Sequence, residues 1–371
     1  MKPFPLFALF ALFLSLRVRA DFPKDWPEAS PESEGFSTAK LDAAWATLKE
    51  HRTDIFVVIR NDHLIYERYA NGFSRTKPHG TASLAKSLVG SMSLLVAMTD
   101  GRIDPDDLAS KYVPQWAAVD RKKEITIREL ASHTSGLGDA EEEDMPHDKL
   151  TGWKGDFWKR LPVPNDPFTI ARDTVPVLFT PGTSEYYSNT GMAMLGYCLT
   201  ASLKGAPQSD LRSLLKERVL DQIGVPKSEW NIGYGETTKV DDLPIIATWG
   251  GAAYSVNATA RIGRLLLRKG DWEGKRIISA AAIATATAQS GLPNRIGLAW
   301  WVNCTPDGSR VWSFAPKDTF WGSGAGGQFL LVIPSMNLIA VRNGAAMDGN
   351  ANSLESLGKY VTAPLMESVV K

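Results

Sequence analysis

Between Ser83 and Thr99 the chain reads SLAKSLVGSMSLLVAMT, a proline-free run in which Lys86 carries the only charge. The run is too long for a strand, and Gly101 follows close behind its end, so it reads as a helix. A helix that is apolar all round must be enclosed on all sides. The chain therefore has to build layers around this segment. Its 371 residues, 44% of them hydrophobic and 12 of them Trp, provide enough material for two domains or one composite domain. Lys86 has no acidic neighbour in sequence. Enclosing its charge would be expensive, which pushes the amine toward its neutral, basic form.

Around this helix the signals fall into an order. Asp21 to Phe36 is rich in Pro and Glu and reads as an extended arm. Ser37 reads as the N-cap of a helix carrying Leu41, Trp45 and Leu48 inward. Ile55–Arg60 and His63–Tyr69 are β-rich and separated by Asn61-Asp62, a hairpin. Helical patterns fill the middle, at Thr126, Thr190, Ser209 and Thr259. Strand-like runs return at Ile296–Asn303, Arg310–Phe314, Gln328–Ile333 and Asn337–Arg342, before a helical tail from about Asn352 to Val370. The order predicts an α+β fold in which one antiparallel sheet is built from both ends of the chain, residues 21–100 and 290–371. A mostly helical part, about 101–289, is inserted between them.

The N-terminus carries Lys2, an apolar run from Pro3 to Leu16 and Val18-Arg19-Ala20, the pattern of a secretory signal over residues 1–20. At 14 residues the apolar run is shorter than a bilayer-spanning helix requires. Export to the periplasm or medium after cleavage near Ala20 is expected, and no stable membrane span. An uncleaved anchor is the alternative, because Arg17 and Arg19 sit close to the cut. Lys plus Arg and Asp plus Glu both total 41, so no basic excess favours nucleic acid. Cys198 and Cys304 allow one disulfide or two free thiols. The acidic run Glu141, Glu142, Glu143 and Asp144 reads as a solvated loop.

HExxH, GxxxxGK[ST] and GxSxG are all missing. What remains is SxxK, whose Ser and Lys lie one turn apart on a helix, so that a neutral amine can take the hydroxyl proton. The pattern recurs along the chain, and three of its occurrences are Ser37-Lys40, Ser83-Lys86 and Ser213-Lys216. The first serine is better explained as a cap and the third lies in a charged amphipathic helix, whereas Ser83 opens the uncharged one. YxN occurs at Tyr69-Ala70-Asn71, where Asn71-Gly72 is ordinary turn chemistry, and at Tyr187-Ser188-Asn189, ahead of a helix. A Tyr oxygen beside a Lys ammonium can relay a proton. Finally, WGSGAGGQFLLVIP from Trp321 offers glycines that let backbone N–H groups approach a ligand, as an oxyanion hole requires. A β-bulge or flexible hairpin is the other reading of those glycines.

In order, TASLAKSLVG, GRIDPDDLASKYVPQW, ITIRELASHTSGL, PGTSEYYSNTGMAMLG, GGAAYSVNATARIGRLL and GAGGQFLLVIPSMNLIAV resemble the successive motifs of the β-lactamase-related, penicillin-recognising serine hydrolases, of the class C and family VIII esterase type. The resemblance implies Ser83 as acylated nucleophile, Lys86 as its base, Tyr187 as proton shuttle and Asn189 as a hydrogen-bonding partner of substrate or Lys86. It implies an oxyanion hole between the N–H of Ser83 and the glycine-rich strand. Aligning Gly322-Ser323-Gly324 with the family's Lys-Thr-Gly or His-x-Gly implies Ser323 and Gly324 as substrate or oxyanion contacts and makes Ala325 the second donor. Aligning Trp321-Gly322-Ser323 with Trp-Gly-Gly makes it Gly324. His133 matches a structural turn of the family.

Where lactam-hydrolysing relatives hold a lysine for the substrate carboxylate, this chain has Gly or Trp, unless Lys317 or Arg342 reaches the cleft. The expected activity is hydrolysis of a small-molecule ester or amide through a Ser83 acyl-enzyme, with no metal or organic cofactor and no nucleic-acid partner. A β-lactamase or D,D-peptidase is the alternative within enzymes, and a catalytically silent scaffold the alternative outside them.

Overall fold

The computed structural model describes residues 22–370 apart from 24, 144, 293–294 and 350–353. The signal-peptide reading, residues 1–20, lies outside them. Ser37 accepts the N–H of Lys40 and caps helix α1, Thr38–Glu50. Strands β1, Thr53–Arg60, and β2, His63–Tyr69, follow. They are joined at Asn61 and Asp62, both with positive φ (49° and 66°), the backbone that a two-residue hairpin needs to match the strand twist. Helix α2 runs Ala82–Thr99. Of the later helices, α3 is Ile127–Ala131, α4 Asn189–Ser202 and α5 Val256–Leu267. The last strands are β3, Trp301–Val302, β4, Phe320–Gly324, β5, Gln328–Ile333, and β6, Leu338–Gly344. A helical tail, α6, covers 354–367.

The six strands form one antiparallel sheet in the order β3-β4-β5-β6-β1-β2, with Val57 opposite Val341 and Glu67. Both ends of the chain thus meet in one sheet, the expected α+β architecture. Both faces are covered. Ile55, Val57 and Ile59 join the core that contains α2, and Phe56 and Val58 join the core beneath α1 and α6. This explains why β1, β5 and β6 read as near-continuous apolar runs rather than alternating ones. The α2 segment is enclosed as its composition requires, with Leu84, Ala85, Leu88, Val89, Met92, Leu94 and Leu95 fully buried.

Several local expectations need correction. Arg310–Phe314 forms no strand. Its apolar residues are used instead in a loop organised by Asn303, whose side chain accepts the N–H of Trp312 (2.7 Å) and donates to the carbonyls of Trp312, Ala315 and Pro316. Trp312 then stacks on Trp321, with ring centroids 4.3 Å apart. Only Trp301–Val302 of the Ile296–Asn303 run pairs as a strand. The helical middle also carries short β ribbons, such as 238–240 with 243–245. Helix α5 belongs with the sheet, because an added Cβ on Gly263 would lie 3.1 Å from both Ile339 and Leu330. Cys198 is buried, Cys304 is partly exposed, and both are free thiols.

Candidate active site

Helix α2 begins in a tight turn. Thr81 donates its N–H (2.9 Å) and its hydroxyl (3.0 Å) to the carbonyl of Ala252, and Ala82 follows with φ 46°. A left-handed conformation costs a residue with a Cβ roughly 1–2 kcal/mol, so the turn is held by its surroundings. It sets Ser83, partly exposed, at the open end of an otherwise buried helix.

One turn on, Lys86 is only 4% exposed. Its Nζ lies 3.1 Å from Ser83 Oγ, 2.7 Å from Asn189 Oδ1 and 2.8 Å from the carbonyl of Trp249. Burial pulls the amine down to about 7, with Asp139 and Glu141 opposing the shift. The geometry decides where a neutral amine points. The Asn189 and Trp249 oxygens can only accept. They take the two N–H bonds, and the lone pair is left facing Ser83 Oγ.

Tyr187 enters from the segment before α4, where Ser188 caps the helix by accepting the N–H of Gly191. Its ring stands over Lys86 Nζ, 4.7 Å from the centroid, and against His133 at 4.5 Å. Burial raises the phenol above its ordinary range, and a hydrogen bond with Ser83 pulls the other way. The group is therefore protonated at neutral pH. His133 sits in the turn after α3 with φ 61°, and its Nδ1 accepts the N–H of Ser188 at 3.2 Å. Burial first, and then the Lys86 charge, push its pKa down to about 3, so the ring is neutral. It organises the turn that carries Tyr187.

The glycine-rich strand β4 lies along the start of α2. An added Cβ on Gly324 would meet Thr81 O at 2.3 Å, Leu84 N at 2.7 Å and Ser83 N at 2.9 Å. Only glycine allows this approach. Gly322 faces the same way, toward Leu84 and Ser87. Strand alternation turns Ser323 to the opposite face, so the expectation of Ser323 as a substrate contact does not hold for its side chain. Trp321 is fully buried on that far face against Trp312. The alignment that puts Trp321 at the cleft therefore fails, and Gly322-Ser323-Gly324 followed by Ala325 fits the geometry. Beyond Trp321, β3 no longer accompanies β4, so one edge of Gly322–Gly324 is open beside Ser83.

Neither proposed cation is in the cleft. Arg342 is completely buried. It donates to the carbonyls of His51, Arg52, Gly326, Gly327 and Ala345 and to Thr53 Oγ1. Lys317 is exposed in the turn before β4, at the end of the strand opposite Gly324.

The structure thus brings Ser83, Lys86, Tyr187, Asn189 and Gly324 together. Ser37 and Ser213 lie elsewhere in structural roles, Ser37 as a cap and Ser213 in a capping box with Asp210. Sequence reasoning missed three partners. The Trp249 carbonyl carries no side-chain signature. Asp139 sits in GLGD, which reads as turn chemistry. Glu141 was read as part of a solvated run. Glu142 and Glu143 are indeed exposed, but Glu141 is half-buried and its charge acts on Lys86, Tyr187 and Tyr234.

A family model described as Beta-lactamase matches residues 41–352. The 6-aminohexanoate-dimer hydrolase of Paenarthrobacter ureafaciens is 25% identical over 310 residues, covering 80% of this chain and 73% of that one. Two solved structures share the fold. One, from Bacillus anthracis and provisionally named a 6-aminohexanoate-dimer hydrolase, has a TM-score of 0.68 at 20% identity and covers 94% of this chain and 89% of its own. The other, a family VIII carboxylesterase, has a TM-score of 0.65 at 18% identity and covers 93% and 98%.

Proposed function

Because the chain belongs to the Beta-lactamase family, whose matched relatives include hydrolases by name, we propose that it is a serine hydrolase that cleaves carboxylic esters, and less readily amides, through an acyl intermediate on Ser83. The observation that carries this reading is the Lys86 amine, with two fixed acceptors and its remaining direction aimed at Ser83 Oγ 3.1 Å away.

Neutral Lys86 takes the hydroxyl proton as Ser83 Oγ bonds to the substrate carbonyl carbon. The developing oxyanion is held by the Ser83 N–H and the Ala325 N–H, at the turn of the glycine strand. The proton passes through the Tyr187 hydroxyl to the leaving oxygen as the ester C–O bond breaks. Water then adds to the acyl carbon, gives its proton to the same base and releases the acid, and Ser83 regains its hydrogen.

Esters are favoured over lactams because the position facing α2 has no room for a cationic side chain. A Cβ on Gly322 would already lie 2.5 Å from Leu84 Cδ1 and 2.7 Å from Ser87 Oγ, and Lys317 and Arg342 are placed elsewhere. A charged hydrogen bond to a carboxylate contributes roughly 1.5–3 kcal/mol, so its absence costs anionic substrates about 10- to 100-fold. The N-terminal sequence supports export as part of this proposal. The test is turnover of p-nitrophenyl butyrate beside a chromogenic cephalosporin, in the unmodified protein and in Ser83→Ala. Ester turnover should dominate and vanish in the variant. Comparable cephalosporin turnover would overturn the substrate class, and an active Ser83→Ala protein the mechanism.

A further inference from the structure

Asp139 is 7% exposed, lies in the loop after His133, and every contact it makes with its neighbours in the site is as an acceptor. The N–H groups of Ala140 and Asn189 donate to its Oδ1 at 2.8 Å each. The Asn189 side-chain Nδ2 reaches its two oxygens at 3.1 and 3.4 Å. Burial, and then the Glu141 charge, raise the Asp139 carboxyl from its ordinary value, while the Asn189 and Ala140 N–H groups and the Lys86 charge oppose the rise. In its ionised form the carboxylate can only accept, so the Asn189 amide has one permitted orientation, with NH2 toward Asp139 and Oδ1 toward Lys86. The reverse orientation would set oxygen against carboxylate and offer Lys86 a donor.

We propose that Asp139 is a positioning residue that fixes the polarity of the Asn189 amide and thereby aims the Lys86 lone pair at Ser83. The inference rests on the Ser83–Lys86 reading above and extends it by one residue. With the amide locked, Lys86 meets an oxygen at 2.7 Å and its N–H bonds are directed away from Ser83. With the amide reversed, the lone pair is drawn to the Asn189 NH2 and base catalysis is lost. Lys86 is faced also by the Tyr187 ring, by neutral His133, by the Trp249 carbonyl and by the charge of Glu141. All of these stay in place in the variants that test the idea.

Asp139→Asn keeps the shape, and the introduced amide oxygen can still accept the two backbone N–H groups. Its NH2 replaces the oxygen that lies 3.4 Å from Asn189 Nδ2, which sets donor against donor there and removes the lock on the present amide orientation. The expected result is a loss of tenfold or more in kcat for p-nitrophenyl butyrate with little change in KM, and a rising pH limb displaced to lower pH, since Lys86 has lost an acceptor and a nearby negative charge. The exchange variant Asp139→Asn/Asn189→Asp restores an acceptor toward Lys86. It should recover turnover over the single variant at high pH, with the limb moved above that of the unmodified protein. A role limited to bracing the loop would lower the melting temperature in both variants without moving either limb.

Near-normal turnover with an unmoved limb in Asp139→Asn would overturn the proposal. So would an exchange variant no better than the single one at any pH. If the single variant does not fold, the position of the limb in the exchange variant decides alone. Ser83→Ala and Lys86→Ala run alongside. Activity in either defeats the underlying reading, whereas inactivity in both with an indifferent Asp139→Asn defeats only this inference.

Discussion

Gly324→Ala adds one methyl group where the strand meets the nucleophile's turn. The new carbon would sit 2.3 Å from Thr81 O, against the 3.4 Å at which ordinary contact begins. The three atoms it meets, Thr81 O, Leu84 N and Ser83 N, are all backbone and cannot rotate aside. Either β4 or the start of α2 must move by about 1 Å. Overpacking of this kind costs about 1–3 kcal/mol of stability, which leaves the protein folded. The displacement separates the two oxyanion donors, and a 1 Å error at such a site costs about 100-fold. The assay is steady-state hydrolysis of p-nitrophenyl butyrate with a melting curve on the same sample. The loss should fall in kcat. Gly322→Ala is the comparison, because its added carbon meets side chains only, Leu84 Cδ1 and Ser87 Oγ and Cβ, and no backbone of the Ser83 turn, and should cost turnover less than Gly324→Ala does. A folded Gly324→Ala protein within threefold of the parent would refute the placement of the oxyanion hole.

The rate for ester substrates should rise through a limb near pH 7, because the reactive form is the Lys86 amine, whose pKa burial lowers from 10.5 to about 7; Lys86→Arg, which does not give up its proton, should abolish the limb together with the turnover. The same depressed pKa means that the folded state binds fewer protons than the unfolded one between about pH 7 and 10.5. This group's contribution to stability therefore rises with pH across that window, and the difference in melting temperature between the parent and Lys86→Met should change in step with it. Ser37→Ala should cost about 1 kcal/mol through the lost cap and leave turnover intact, as should Ser213→Ala, measured by melting and by ester hydrolysis.

The sheet assembled from both ends of the chain was legible because its strands carry long apolar runs and a turn dipeptide, and α2 because no soluble surface could accommodate it. Ser83 stood apart from Ser37 and Ser213 for the same reason, since the helix it opens carries no charge besides Lys86. Arg310–Phe314 misled because its aromatic residues pack as a loop anchored by Asn303, and a short alternating run does not distinguish that from a strand. The Trp249 carbonyl and Asp139 act through backbone geometry and amide orientation, which composition and spacing do not encode. The direction of Ser323 depended on register, which was fixed only when Gly324 was seen against Ser83 and Trp321 against Trp312.

The central claim is that Ser83 is an activated nucleophile, and intact-mass measurement after treatment with a fluorophosphonate, followed by peptide mapping, tests it without knowledge of the natural substrate. One adduct is expected, on the peptide containing Ser83, absent in Ser83→Ala. No adduct, or an adduct on another serine of the native protein, would contradict the account.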